Sequence, residues 1–406
     1  MKYVIIIPDG AADEPLDQLE GKTPFEAANK PNTDRISREG RQGTVVTTPD
    51  PMPCGSDVCT MSLLGYDPLK YHHGRAPLEA AAMGIEMDPS HWIFRLNLVT
   101  VLDGAMQDHS AGHIRDAEGR KLLEALAEAV ELPGMVLYPG VSYRNIMVDT
   151  SGRDWNELVT TPPHDIPGEP MRKYLPTGAE DETMLRDLIE RSEQVFANHP
   201  INETRRDLGE LPATHVWPWG QGQRPEMPSF ESLYGVRGAM ITAVDLLGGL
   251  AKLIGWDRLD VPGQTSYHDT DYAAAGSHAV AALADYDLVC VHVEAPDEAS
   301  HAADPEVKVE AIEAIDEHVV GPVLEALKSD YADGWRLLYL PDHYTCVNTR
   351  RHEPLPPPFA MCGTRVNNVL DRPFTEADAN ESDLHIEYGH ELMEYFLCSG
   401  LDVSNG

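Results

Sequence analysis

Three short apolar runs, rich in β-branched residues, each stop abruptly at acidic or histidine side chains. They are Tyr3–Ile7 before Asp9, Leu288–Val293 before Glu294 and Asp297, and Trp335–Leu340 before Asp342 and His343. Continuous apolar runs of this length suit strands covered on both faces of a parallel sheet, because a half-exposed strand would alternate. Helical periodicity lies between them. In "DPEVKVEAIEAIDEHVVGPVLEALKSD" the residues Val307, Ala311, Ile315, Val319 and Leu324 share one face. Strands alternating with helices predict an α/β fold with a doubly wound, mostly parallel sheet, in which ligands collect beyond the carboxyl ends of the strands. The three charged stops are therefore expected to converge on one edge.

At 406 residues the chain exceeds the usual size of one hydrophobic core. The first strand and the next clear one are separated by most of the chain, and the pattern changes between them. "FRLNLVTV", "MVLYPGVSYRNIMV" and "WNELVTTPPHDIPGEP" carry strand-like runs broken by Gly and Pro. This predicts a discontinuous larger domain, residues 1–75 and 213–406, with a smaller α+β domain, residues 76–212, inserted into it. "HVWPWGQGQRPEMPSF" reads as the return path.

Charge bounds the partners. Lys and Arg number 31 against 67 Asp and Glu, a formal net charge of −36. This argues against nucleic acid or an anionic membrane as a partner, and an anionic substrate would need local Arg, His or metal to overcome the field. The six cysteines form no CxxC pair, so neither a zinc ribbon nor a disulfide scaffold is indicated, and free thiols suit a reducing compartment. The apolar part of "KYVIIIPDG" is too short for a signal peptide or a span, and no other run approaches the roughly 20 residues a bilayer needs. A cytoplasmic location is expected. Composition sets no oligomeric state.

Asp297 and His301 stand at i, i+4 and would point the same way from a helical turn. "LPDHYT" adds the adjacent Asp342 and His343, and "TRRHEPLPPP" adds His352. A solvated acidic turn explains the first pair equally well. Convergence after strand ends favours a metal, and a mixed oxygen and nitrogen ligand set suits Mn²⁺, Zn²⁺, Co²⁺ or, less comfortably, Mg²⁺. In "PMPCGSDVCTMSLLGYDP", Gly55 permits a sharp turn, Ser56 or Asp57 can cap a helix running through Leu64, and Gly65 ends it. An ordinary N-cap is one reading of Ser56. The other is a nucleophile: a serine at a helix N-terminus, facing a metal, can ionise and hold a phosphate against backbone N–H groups.

The order Asp9, Ser56, Asp297 with His301, Asp342 with His343, then His352 resembles the metal and nucleophile framework of the alkaline phosphatase superfamily. More closely, "PDGAADEPL", "GKTPFEAANKPNTD", "CGSDVCTMSLLGYDP", "EAPDEASH" and "PDH" are similar to the archaeal-type, cofactor-independent (2,3-bisphosphoglycerate-independent) phosphoglycerate mutases. The similarity extends to "GRAPLEA", "FRLNLVTV" and "AVDLLGGLAKLIGWD". The resemblance implies interconversion of 3- and 2-phosphoglycerate in glycolysis and gluconeogenesis, with Ser56 phosphorylated during turnover and no 2,3-bisphosphoglycerate required. It implies one divalent ion held by Asp9, Ser56, Asp342 and His343, and another held by Asp297, His301 and His352, with Mn²⁺ preferred over Mg²⁺, Co²⁺ or Zn²⁺. Two departures stand out. Thr60 occupies a position where the family commonly has Asn, and "HEPLPPP" replaces a run like "HTSDP".

Retaining glycerate between the two phosphoryl transfers requires water to be excluded, which a second domain closing over the first would provide. The inserted region offers anion holders in Arg75, Arg95, His109, His113, Arg115 and Arg144, and Arg grips a carboxylate or phosphate bidentately. "MQDHSAGHIRD" is its densest segment. Two other readings use the same framework. "YHHGRAPLEA" and "TPPHDIPG" resemble a branch described as proposed homoserine kinases, although Leu16 stands where a phosphate-binding loop needs its first Gly. A plain metal-dependent phosphatase needs the same ligands without a second domain.

Overall fold

The computed structural model describes residues 1–399. The chain divides into two compact units, one of residues 1–72 with the described residues from 227 onward, the other of residues 73–226. The expected return boundary at 212 falls too early. The strand His215–Gln223 pairs antiparallel along Trp92–Leu102, from Val99↔His215 to Trp92↔Gln223, so the inserted unit keeps the chain to Glu226.

The larger unit is built on an eight-stranded sheet, in the order His385–Ile386, Arg41–Val45, Pro358–Gly363, Trp335–Tyr339, Lys2–Pro8, Leu288–Val293, Gly238–Ile241 and Asp257–Arg258. Only Pro358–Gly363 runs against the rest. The fold is the expected mostly parallel α/β arrangement. Val4, Ile5, Ile6 and Ile7 of the first strand are buried, as are Val289, Cys290 and Val291 of its neighbour and Leu337 and Leu338 on the other side. Burial of each such aliphatic side chain contributes about 1.5–3 kcal/mol, which is why the strands carry no polar face.

Register decides where the charged stops go. Pro8 lies opposite Val293 and Ile6 opposite Tyr339, with all three strands parallel. Asp9, Glu294 with Asp297, and Asp342 with His343 consequently leave the sheet at the same carboxyl edge. The periodic segment forms a helix over Pro305–Ile315, a π turn over Asp316–Val320 and a further helix over Gly321–Asp330. Its expected inner face is buried except at Val307, which is half-buried; the adjacent Lys308 turns fully inward instead. The reason is a partner. Lys308 Nζ donates to Asp13 Oδ2 at 2.8 Å and to the Thr345 carbonyl at 2.8 Å, so its charge is neutralised where it is buried.

The inserted unit is α+β. Trp92–Leu102 pairs antiparallel with Ala105–Asp108, Arg144–Asp149 and His215–Gln223, and Met135–Tyr138 extends the sheet beyond Arg144–Asp149. The helices Asp116–Ala129 and Glu182–Phe196 bring Leu122, Leu126, Leu185 and Phe196 into a core with Phe94, Leu96, Leu98 and Trp155. No helix among the described residues is long and apolar enough to cross a membrane. All six cysteines are unpaired.

Candidate active site

The segment "PDG" opens the site. Asp9 follows the first strand and is fully buried. Gly10 then turns the chain at φ +59°, and a Cβ there would strike Thr345 Oγ1 and come within 2.6 Å of Asp297 Oδ1. Only glycine allows the backbone to pass so close to those atoms. The Gly10 and His343 backbone N–H groups both donate to Asp342 Oδ1, at 3.2 and 3.1 Å. One oxygen of Asp342 is thereby fixed and the other left over.

Ser56 is the first residue of the helix Ser56–Leu63, whose N-cap is Gly55 and has no side-chain cap. Neither Ser56 nor Asp57 plays the expected capping role. Asp57 is paired with His72 at 2.7 Å, and Ser56 Oγ lies 3.2 Å from His343 Nε2. The same Nε2 is 3.4 Å from Asp9 Oδ1 and 3.3 Å from Asp342 Oδ2. Four sequence-predicted residues thus meet around one point.

Proton accounting identifies what they lack. Thr345 donates its only hydroxyl proton to Asp297 Oδ1 at 2.6 Å, so at 3.1 Å from Thr345 Oγ1 it is His343 Nδ1 that donates. Nε2 of His343 is left as a lone pair facing Asp9 Oδ1 and Asp342 Oδ2, two buried oxygens with no hydrogen-bond partner. Three lone pairs directed at one another in a buried site call for a proton or a cation between them. The electrostatics agree. Burial first, then the charges of Asp342 and Asp297, push Asp9 well above the usual carboxylate range, and burial followed by Asp9 does the same to Glu294. Burial holds the His343 imidazole below its ordinary value, in the neutral form that can ligate.

Asp297, His301 and His352 form a second group. The helix Ala295–His301 sets Asp297 Oδ2 3.2 Å from His301 Nε2, and the hairpin of Tyr344–Cys346 with Arg351–Glu353 brings His352 Nε2 to 3.3 Å from Asp297 Oδ1. The two Nε2 atoms are 3.1 Å apart. His301 Nδ1 faces the Arg350 carbonyl at 3.1 Å and His352 Nδ1 that of Cys54 at 3.4 Å, so both Nε2 atoms are again lone pairs when the rings are neutral. Without an ion, Asp297 draws protons onto them: burial opposes this, yet His352 is raised to about 9, and His301 is raised mainly by its hydrogen bond to Asp297. The His343 and His352 rings stack at 4.1 Å, which joins the two groups. Each has three side chains whose ligand atoms lie within 4.8 Å of one another, the spacing of a metal site.

Sequence reasoning missed Thr345, which bridges the two groups, and His292, whose Nε2 is 2.8 Å from Asp9 Oδ2. The signal for His292 was present in "LVCVHV", since one polar ring in a strand buried on both faces demands partners. Thr60, at the position of the family's Asn, is fully buried with an unpartnered hydroxyl.

The inserted unit gathers a group of opposite character. Arg95, from the centre of its sheet, stacks on Trp219 with the guanidinium 4.0 Å from the ring and pairs with Glu79 at 3.0 Å, leaving a buried Nε without a partner. Burial lowers Arg95, Glu79 opposes the shift, and the neighbouring Arg75 and Arg144 add to it. Arg144 lies over Tyr143, which also meets the edges of His109 and His113. His164, not anticipated, joins His109 and Trp219; burial lowers its pKa, Asp165 counters, and Arg95, His109 and Arg75 lower it further. Arg115 is engaged otherwise, exposed and forked between Glu118 at 2.8 Å and Glu210 at 2.6 Å.

Residues 37–202 match the family model described as 2,3-bisphosphoglycerate-independent phosphoglycerate mutase. The protein of that name from Methanothrix thermoacetophila is 47% identical over 98% of this chain and 100% of its own length. A probable member from Geobacter sulfurreducens is 40% identical over 98% of this chain and its full length. The solved structure of a cofactor-independent phosphoglycerate mutase from Thermoplasma acidophilum has the same fold, with a TM-score of 0.66 at 24% identity over 98% of this chain and 99% of that one.

Proposed function

Because the chain belongs to the 2,3-bisphosphoglycerate-independent phosphoglycerate mutases, we propose that Ser56 is the group that carries the phosphoryl between the two positions of glycerate. The protein is an isomerase acting on a small phosphorylated substrate. The single observation that carries the residue assignment is the meeting at one point of Ser56 Oγ, 3.2 Å from His343 Nε2, with Asp9 Oδ1 and Asp342 Oδ2, two buried oxygens without a hydrogen-bond partner.

Asp9, Ser56, Asp342 and His343 would hold one divalent ion and Asp297, His301 and His352 a second, with Mn²⁺ proposed first for this mixed donor set. Bound there, the ions supply charge neutralisation to phosphoryl oxygens and lower the pKa of an adjoining hydroxyl. The chain supplies the rest. Ser56 Oγ gives up its proton and attacks phosphorus, the bond from phosphorus to O3 of 3-phosphoglycerate breaks, and O3 takes up a proton, so none is gained or lost overall. The backbone N–H groups of the first turn of Ser56–Leu63 receive the phosphoryl oxygens. In the second half, O2 of glycerate gives up its proton and attacks the phosphoserine, the bond from phosphorus to Ser56 Oγ breaks, and Oγ takes up a proton. Arg75, Arg95, Arg144, His109, His113 and His164 of the inserted unit are proposed as anion holders.

Full-length protein loaded with Mn²⁺ is given 3-phosphoglycerate with enolase as the reporting enzyme, in parallel with homoserine plus ATP and with a simple phosphate ester. Formation of 2-phosphoglycerate that stops with EDTA and with Ser56→Ala supports the proposal. Turnover surviving Ser56→Ala overturns the assignment, and inorganic phosphate or phosphohomoserine as the sole product overturns the reaction.

A further inference from the structure

His292 lies in the strand Leu288–Val293, where every side chain is buried, and is itself 1% exposed. Both ring nitrogens are used. Nδ1 is 3.1 Å from Thr242 Oγ1, just past the neighbouring parallel strand Gly238–Ile241, and Nε2 is 2.8 Å from Asp9 Oδ2. The Val244 backbone N–H donates to Thr242 Oγ1 at 3.1 Å, which turns the hydroxyl proton towards Nδ1. Nε2 is then the donor, and Asp9 Oδ2 its acceptor. With Oδ2 occupied, Asp9 has one free oxygen, the partnerless Oδ1 that faces His343.

We infer that Thr242 and His292 are positioning residues that make Asp9 a one-oxygen ligand, presenting Oδ1 alone to the group formed with Asp342, His343 and Ser56. A ligand's orientation is commonly set by such outer hydrogen bonds, and their loss costs about 10–100-fold in metal affinity. The carboxylate would otherwise be free to rotate or to bind through both oxygens. Glu294 shares this corner, with Oε2 3.7 Å from His292 Nε2. Asp9, His292 and Glu294 have the spacing of a cation site, but an ion there would require His292 to surrender the Nε2 proton that holds Asp9.

The inference rests on the two-ion reading above, and the test separates the two. Metal-free full-length protein is titrated with Mn²⁺ by equilibrium dialysis, and the melting temperature of the metal-free form is recorded alongside. Wild type is expected to bind two ions. His292→Ala should weaken one site about 10–100-fold and leave the other within about threefold. His292→Gln, whose amide N–H can stand near Nε2, should recover most of the loss. Thr242→Val should act on the same site, less strongly, and add nothing to His292→Ala, because both act through one hydrogen bond to Asp9. Unchanged affinities in His292→Ala, or equal weakening of both sites with a lowered melting temperature and no recovery in His292→Gln, overturn the inference alone. Three ions in wild type with one lost in His292→Ala make His292 a ligand and overturn it too. No binding by wild type overturns the two-ion reading and this inference with it.

Discussion

The two units carry opposite imbalances. In the larger, carboxylate oxygens and imidazole lone pairs crowd together: Asp9 Oδ1 and Asp342 Oδ2 are buried without a hydrogen-bond partner, and His343 turns Nε2 towards both. In the smaller, guanidinium groups crowd together: burial, joined by Arg75 and Arg144, lowers the pKa of Arg95, Glu79 and Tyr143 oppose the shift, and the buried Arg95 Nε has no hydrogen-bond partner. One region concentrates carboxylates with imidazoles, and the other concentrates guanidinium groups. In a chain of net charge −36 neither follows from composition. The first is proposed for cations, and the second for the carboxylate or phosphate of a small acid. A third region shows the contrast: Lys308 and Asp13, both fully buried, pair at 2.8 Å, satisfy each other and ask for no ligand.

The comparison can be broken at several points. Ser56→Ala should lower the mutase rate on the order of 10⁴-fold or more, as loss of a nucleophile does, while dialysis still finds Mn²⁺ on the Asp297 group. A rate within about tenfold of wild type would remove Ser56 from the chemistry. Next in size is the effect of pH on ion binding. His352 without an ion is protonated below about 9, and a ligand nitrogen must be unprotonated. Affinity should therefore fall as pH falls, by about 100-fold between pH 8 and 6 if one proton is displaced, with matching proton release in calorimetry run in two buffers. A flat profile would mean that His352 does not ligate. Arg95→Lys tests the smaller unit: it keeps the charge but loses the fork and the stack on Trp219, so kcat/KM should drop about 10–100-fold. Arg115→Ala should change it by less than about threefold, because its donors already serve Glu118 and Glu210 in an exposed pair. A large loss there and none at Arg95 would relocate the anion site.

Much of this was legible in the sequence, for a physical reason. A strand in a parallel sheet is apolar to its end, so the change from apolar run to Asp9, Asp297, Asp342 and His343 marks the carboxyl edge directly. The gathering of those residues with Ser56, His301 and His352 followed from the strand ends and from the family's motifs. What lay hidden depends on partners distant in sequence. Thr345 matters through Asp297 and His343, and His292 through Asp9 and Thr242; periodicity reports neither. Lys308 displaced Val307 from the helix's inner face because Asp13, some three hundred residues earlier, neutralises it. The extent of the insert was misjudged because His215–Gln223, though apolar in part and broken by Gly and Pro, completes a sheet begun at Trp92. Ser56 could be read as a cap or as a nucleophile; Gly55 holds the cap position, and the Ser56 hydroxyl is turned to His343.

The central claim is that Ser56 carries the phosphoryl group, and its most direct test is rapid quenching of the Mn²⁺-loaded enzyme during turnover of 3-phosphoglycerate, followed by peptide mass spectrometry. The account predicts a gain of one phosphoryl mass on the peptide containing Ser56, localised to that residue and absent after EDTA treatment. Full conversion to 2-phosphoglycerate with the phosphoryl group found on another residue, or with Ser56→Ala turning over at the wild-type rate, would contradict it.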